Sequence, residues 1–138
     1  MTTTGKVLVI PCSGVGKVHG LISRESAYLV TDELAPDGTD VVCLALLVRE
    51  DEDTLARVRA CPCITIDGCA KACAQKNVEI AGGQVARAFQ VAKALTEHRG
   101  GQPGTGSDLT EEGWAVSREI AEAVADETVR LCQGEEQA

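Results

Sequence analysis

The chain has 138 residues, 44% apolar and 25% charged, enough for one ordinary globular domain around a single core. A net charge of -8 and an isoelectric point near 4.7 argue against the clustered basic face that nucleic-acid binding needs, and Tyr28, Phe89 and Trp114 are too few aromatics for a base-stacking platform. No run reaches the roughly 18 apolar residues of a membrane span, and the amino terminus lacks the ordered segments of a secretory leader, so the expectation is a cytoplasmic protein with neither nucleic acid nor membrane as partner.

Residues 6 to 11, "KVLVIP", are a short β-branched run closed by Pro11 and the Ser13-Gly14 turn, the pattern of a buried strand. From Val18 to about Asp32 the apolar positions recur at helical spacing until "APDG" stops them. "DVVCLALLV", 40 to 48, is a second continuous apolar run, expected as a strand. "REDEDTLARVRA" follows with an acidic first turn and later arginines that suit a short helix. "CITI", 63 to 66, gives a third strand, and "DGCAKACAQKNVEIA" a helix that Gly82 and Gly83 end.

The segment "QVARAFQVAKALTEH" carries both helical composition and alternation; a strand near 85 to 91 is favoured. "RGGQPGTGSD" is a loop. Residues 110 to 131 form an amphipathic helix with Trp114, Ser117, Ile120, Ala121, Val124, Thr128 and Leu131 along one side, Thr110 as N-cap and Leu109 with Trp114 as a staple, before a frayed tail. Alternating strands and helices predict an α/β three-layer sandwich with a small parallel sheet of about four strands, Rossmann-like or flavodoxin-like, whose ligands bind outside the carboxyl ends of the strands.

Seven cysteines stand at 12, 43, 61, 63, 69, 73 and 132, below the roughly 8 to 10% of a secreted disulfide scaffold. In a reducing compartment such grouping points to metal or thiol chemistry. Cys12 follows the first strand, Cys69 the third, and Cys43 lies in or at the end of the second, so three strands bring thiols to one edge. In one helix Cys69 and Cys73 would share a face with Cβ atoms roughly 5 to 6 Å apart, too far for a disulfide at about 3.8 Å but within reach of a zinc with bonds of about 2.3 Å. Asp67 is placed to cap that helix or to orient thiolates. Cys61 and Cys63 read as packing residues more readily than as auxiliary ligands or thiols that pass metal to the main site, Cys132 as filler, His19 as a helix-surface histidine more readily than as a base or a ligand, and His98 as a helix-surface histidine.

Nucleotide motifs do not hold. A Walker loop needs a glycine where Pro11 stands and Ser or Thr where Val18 stands, the glycines at 14, 16 and 20 miss the dinucleotide fingerprint by one residue, and a cysteine phosphatase loop would place arginine at Val18.

"CSGVGKVHGLISRESAYLV" after the first strand, "VVCLA" in the second and "IDGCAKACA" after the third together resemble the DGC-domain family, named for the Asp-Gly-Cys found here at 67 to 69. The resemblance spans about residues 6 to 131 of a single domain, 1 to 138. It implies a small prokaryotic α/β protein whose four characteristic cysteines hold zinc, matched here by Cys12, Cys43, Cys69 and Cys73. The chain departs from the pattern at Ala70, where proline is expected, and at "LLV", 46 to 48, where a glycine is expected, which leaves open whether the second strand ends at Cys43 or runs on to Val48.

The leading expectation is therefore a thiolate site of Cys12, Cys43, Cys69 and Cys73 that binds zinc or a similarly thiophilic ion for structure, storage or transfer, catalytic only if one position stays open. Two alternatives are a thiol or persulfide protein using Cys12 or Cys69 as nucleophile, and an iron-sulfur cluster on the same thiolates. No protein partner follows from the sequence, and a homo-oligomer stays open.

Overall fold

Four strands line up in parallel in the order β2-β1-β3-β4: β1 is Val7–Pro11, β2 Thr39–Val41, β3 Pro62–Asp67 and β4 Gln84–Gln90. The computed structural model describes residues 6–12, 17–68, 71–96 and 102–137, with 132–137 by backbone alone. Among the described residues six helices join and cover the strands: α1 Val18–Leu29, α2 Leu44–Val48, α3 Glu52–Ala60, α4 Cys73–Ile80, α5 Val91–Leu95 and α6 Glu111–Gln137. A π-helical turn, Val30–Leu34, extends α1.

The sheet is apolar on both faces because helices cover both, the condition for an all-parallel sheet. Val7, Val9, Ile64 and Ile66 point to one face, where Ile22, Val30, Val91, Ile120 and Val124 bury them under α1, α5 and α6. Leu8, Ile10 and Cys63 point to the other, packed by Leu44, Leu47, Val58, Ala74 and Val78 from α2, α3 and α4. At roughly 1.5–3 kcal/mol for each fully buried aliphatic side chain, these two layers dominate the folding energy. The expected three-layer α/β sandwich is thus present, with the strand order of the flavodoxin-like class.

Winding reverses once. The chain leaves β1 through α1 on one face to reach β2, then crosses through α2 and α3 on the opposite face to reach β3. Opposite directions on opposite faces give crossovers of one hand, as parallel sheets require. The reversal falls at the carboxyl ends of β1 and β3, the position where doubly wound sheets bind ligands, and these strands are held in register by Leu8 opposite Cys63 and Pro11 opposite Ile66.

Four expectations need correction. The run 40–48 is not one strand: β2 stops at Val41, and 44–48 is helical with Leu44 and Leu47 buried and Leu46 and Val48 exposed, a spacing of three that a short apolar run conceals. The helix expected to run through Cys69 and Cys73 begins only at Cys73, because Ala72 takes a left-handed conformation at φ 53. Trp114 is 45% exposed, while Val116, absent from the expected face, is 1% exposed. The tail continues as helix through Gln137, carried by the helix-forming Glu and Gln residues.

The strand expected near 85 to 91 is β4 up to Gln90, after which the helical composition of the same segment forms the short α5, which the strand reading passed over; the remaining elements lie where the pattern puts them. Asp51 caps α3 by accepting from the Thr54 amide at 3.1 Å and the Thr54 hydroxyl at 2.8 Å. Thr110 Oγ1 accepts from the Gly113 amide at 3.3 Å as α6 starts. The edge strand β4 is tied to α6 by Arg87, which bonds Glu127 at 3.1 Å and lies over the Phe89 ring.

Candidate functional site at the carboxyl edge of the sheet

Cys12 is the first residue beyond β1 and is 8% exposed. Its amide donates to Ile66 O at 2.9 Å, which carries the β1 to β3 pairing to the end of the strands. Its Sγ accepts the Gly68 amide at 3.1 Å and lies 3.4 Å from Ser23 Oγ. Ser23, fully buried on α1, also donates toward Gly20 O at 2.7 Å and Cys12 O at 3.2 Å. The sulfur is therefore an acceptor of a backbone N–H, the role that sulfur keeps when it binds a metal or carries charge.

The Asp67-Gly68 pair at the end of β3 organises three elements. Asp67, 1% exposed, accepts the Ala74 amide on Oδ1 at 2.7 Å and the Gln75 amide on Oδ2 at 3.1 Å. These are first-turn amides of α4, and its N-cap residue, Ala72, supplies no side-chain cap, so the buried carboxylate caps the helix from the strand end. Gly68 gives its amide to Cys12 and accepts the Ala92 amide at 3.1 Å where α5 begins. A Cβ at Gly68 would stand 3.0 Å from His19 Cβ, 3.3 Å from His19 C and 3.5 Å from Cys12 Sγ. Glycine suits the position because α1 comes so close to the strand end that a side chain would require His19 to give way by a few tenths of an ångström.

Of the other described thiols, Cys43 and Cys73 lie toward the carboxyl ends of the strands and Cys61 and Cys63 at the amino end of β3. Val42 still donates to Val9 O at 3.0 Å, and Cys43 then leaves the sheet beside β1 as the exposed N-cap of α2; β2 therefore does not carry Cys43 mid-strand. Cys73 is the exposed first residue of α4. Cys69 follows Gly68 in the chain and lies outside the described residues, as does His98. Among the described residues no three His, Cys, Asp or Glu side chains are grouped closely enough to hold a metal ion.

Cys61 and Cys63 stand at the amino end of β3, with Cys63 paired to Leu8, four residues before Cys12. At about 3.3 Å per residue that is roughly 13 Å from the carboxyl edge, which removes them as auxiliary ligands. Cys63 Sγ instead donates to Val58 O at 3.6 Å and Cys61 O at 3.5 Å. Burial first, and the neighbouring Cys61 second, push its thiol from 9.0 up to about 12. The side chain of Cys132 on α6 lies outside the described ones.

One residue was undervalued by sequence reasoning. His19, expected on a helix surface, is half-buried against Gly68. The available signal was "VHG" in the first turn after a strand, since that turn faces the strand ends in every βαβ unit.

Fold and site together define a doubly wound parallel α/β domain with a buried cysteine at its topological switch point. The family model for the DGC domain matches residues 8–115, and the chain belongs to that family. Comparisons with curated proteins and with solved structures find no match.

Proposed function

We propose that the chain binds zinc or another thiophilic ion through Cys12, Cys43, Cys69 and Cys73 at the carboxyl ends of the strands, in a structural, storage or metal-transfer role. The observation that supports this most is the strand order β2-β1-β3, which sets Cys43, Cys12 and the Asp67-Gly68 pair on neighbouring strand exits. Cysteine donors suit zinc, copper(I) and iron-sulfur clusters, and the Gly68 amide on Cys12 Sγ is the outer hydrogen bond that orients a ligating thiolate. Asp67 fixes the start of α4 and with it Cys73. A bound zinc would supply a cross-link between loops and, with an open position, Lewis acidity. Thiols left free for metal fit a reducing cytoplasm.

The test is elemental analysis by mass spectrometry of protein purified without added metal. About one zinc per chain is the expected result, and iron with acid-labile sulfide would instead indicate a cluster on the same thiolates. Folded, reduced protein with no metal would overturn the reading.

A second reading is supported by the same contact at Cys12. A buried sulfur facing a backbone N–H at the switch point, where α/β folds bind ligands, suits a thiol that forms a persulfide or mixed disulfide, with Cys12 or Cys69 as nucleophile. Metal-free protein in which one of these two is alkylated well before the other cysteines would favour it.

A further inference from the structure

Resting on the thiol reading of Cys12, we propose that Ser23 is the positioning residue of its sulfur, a buried hydroxyl that turns its single proton onto Sγ when the sulfur carries negative charge. Ser23 Oγ has three acceptors within reach: Gly20 O at 2.7 Å, Cys12 O at 3.2 Å and Cys12 Sγ at 3.4 Å. A hydroxyl has one proton to give and two lone pairs to receive with, so it serves one of these acceptors at a time. Beside a neutral thiol the proton goes to Gly20 O, the nearest of the three, and a lone pair faces the S–H of Cys12. Beside a thiolate, rotation of the O–H alone brings the proton to sulfur, because a charged acceptor outcompetes a neutral carbonyl. No heavy atom has to move, and Gly20 O, a carbonyl in the first turn of α1, keeps its own helical amide.

The charged sulfur then has two donors from two elements: the Gly68 amide at the end of β3, at 3.1 Å, and the Ser23 hydroxyl on α1. Two comparisons within the chain single this pair out. Ser26 is equally buried on α1 and spends its proton on Ile22 O at 2.6 Å, the ordinary use of a serine inside a helix. Cys63 is equally buried in β3, and its sulfur faces the carbonyls of Val58 and Cys61, surroundings that keep a thiol neutral. Cys12 meets donors where Cys63 meets acceptors.

The test is the rate of iodoacetamide alkylation at Cys12 in reduced, metal-free protein at a fixed pH, resolved by peptide mass spectrometry in wild type, Ser23→Ala, Ser23→Thr and Ser26→Ala. The Cys12 thiolate displaces iodide and forms a carbon-sulfur bond, and Cys61, at the opposite end of the sheet, gives the reference rate in each sample. Ser23→Ala is expected to slow Cys12 by about tenfold relative to Cys61, the rate equivalent of losing one hydrogen bond to a charged acceptor. Ser23→Thr, which keeps the hydroxyl, is expected to restore most of the rate, and Ser26→Ala to leave it unchanged. Folded Ser23→Ala that reacts as fast as wild type, Ser23→Thr no faster than Ser23→Ala, or Ser26→Ala slowed equally would overturn the role of Ser23 alone. Wild type in which Cys12 reacts no faster than Cys61 would overturn the thiol reading at Cys12 together with it. If Ser23→Ala does not fold, Ser23→Cys decides, because a thiol is a weaker donor than a hydroxyl: an undiminished rate at Cys12 overturns the role.

Discussion

Cys12 and Cys63 are buried in the same apolar layer, yet their sulfurs hold opposite roles. Cys12 accepts an amide, while Cys63 donates to two carbonyls. With its thiol pushed up from 9.0 to about 12, Cys63 keeps a proton in the native state that the unfolded chain releases near 9.0. That stabilisation is complete below the unfolded value and is lost as pH rises through the folded one. Urea unfolding between pH 9 and 12 is expected to show stability falling with pH, and Cys63→Ala should flatten the slope; equal slopes would mean the thiol does not couple to folding. Gly68 carries a different constraint at the same scale. In Gly68→Ala the new methyl would press on His19, at its Cβ and carbonyl carbon, and overpacking of this kind costs about 1–3 kcal/mol. Chemical denaturation measures it, and an unchanged midpoint would mean α1 moves aside freely.

At the scale of elements, α4 depends on a carboxylate that is not part of it. Asp67→Asn keeps the size but replaces one acceptor with an NH2 group facing a helix amide. The expected loss is about 1–3 kcal/mol, the usual cost of an unsatisfied buried polar group. Amide hydrogen exchange should quicken first at Ala74 and Gln75; protection unchanged at both would remove Asp67 as the cap. The same contact explains why the start of α4 was illegible in sequence. Ala72 takes a left-handed conformation that a β-carbon disfavours by roughly 1–2 kcal/mol, a choice that long-range bonding from Asp67 compensates and no local propensity announces. "LALLV" failed for another reason, since five apolar residues are too few to separate a period of three from a continuous buried strand. By contrast β1, β3, α1 and α3 each carry a period, a cap or a stop within their own residues, and so does β4, whose alternation prevailed over helical composition.

For the whole molecule, the carboxyl edge as a site followed from the α/β alternation alone, because parallel strands present all their exits on one side. The order β2-β1-β3-β4 did not, and it alone makes Cys12 central and sets Cys43 and Gly68 on its two sides. The approach of His19 to Gly68 was legible only in part: the first turn of α1 faces the strand ends, but the contact itself depends on how α1 crosses β3. A metal held between these loops would join segments far apart in sequence, so binding would act on global stability. An ion that binds only the native state contributes about 2.7 kcal/mol at a hundredfold excess over its Kd, which for a domain of this length raises Tm by on the order of 10 °C. In reducing buffer, thermal unfolding of the wild type is expected to rise by that order on adding zinc and to fall back with a chelator. Cys12→Ala should lose the shift, whereas Cys61→Ala, altered at the opposite edge of the sheet, should keep it. Equal shifts in both variants would place the zinc elsewhere, and no shift in folded wild type would leave the cysteines of the switch point to thiol chemistry.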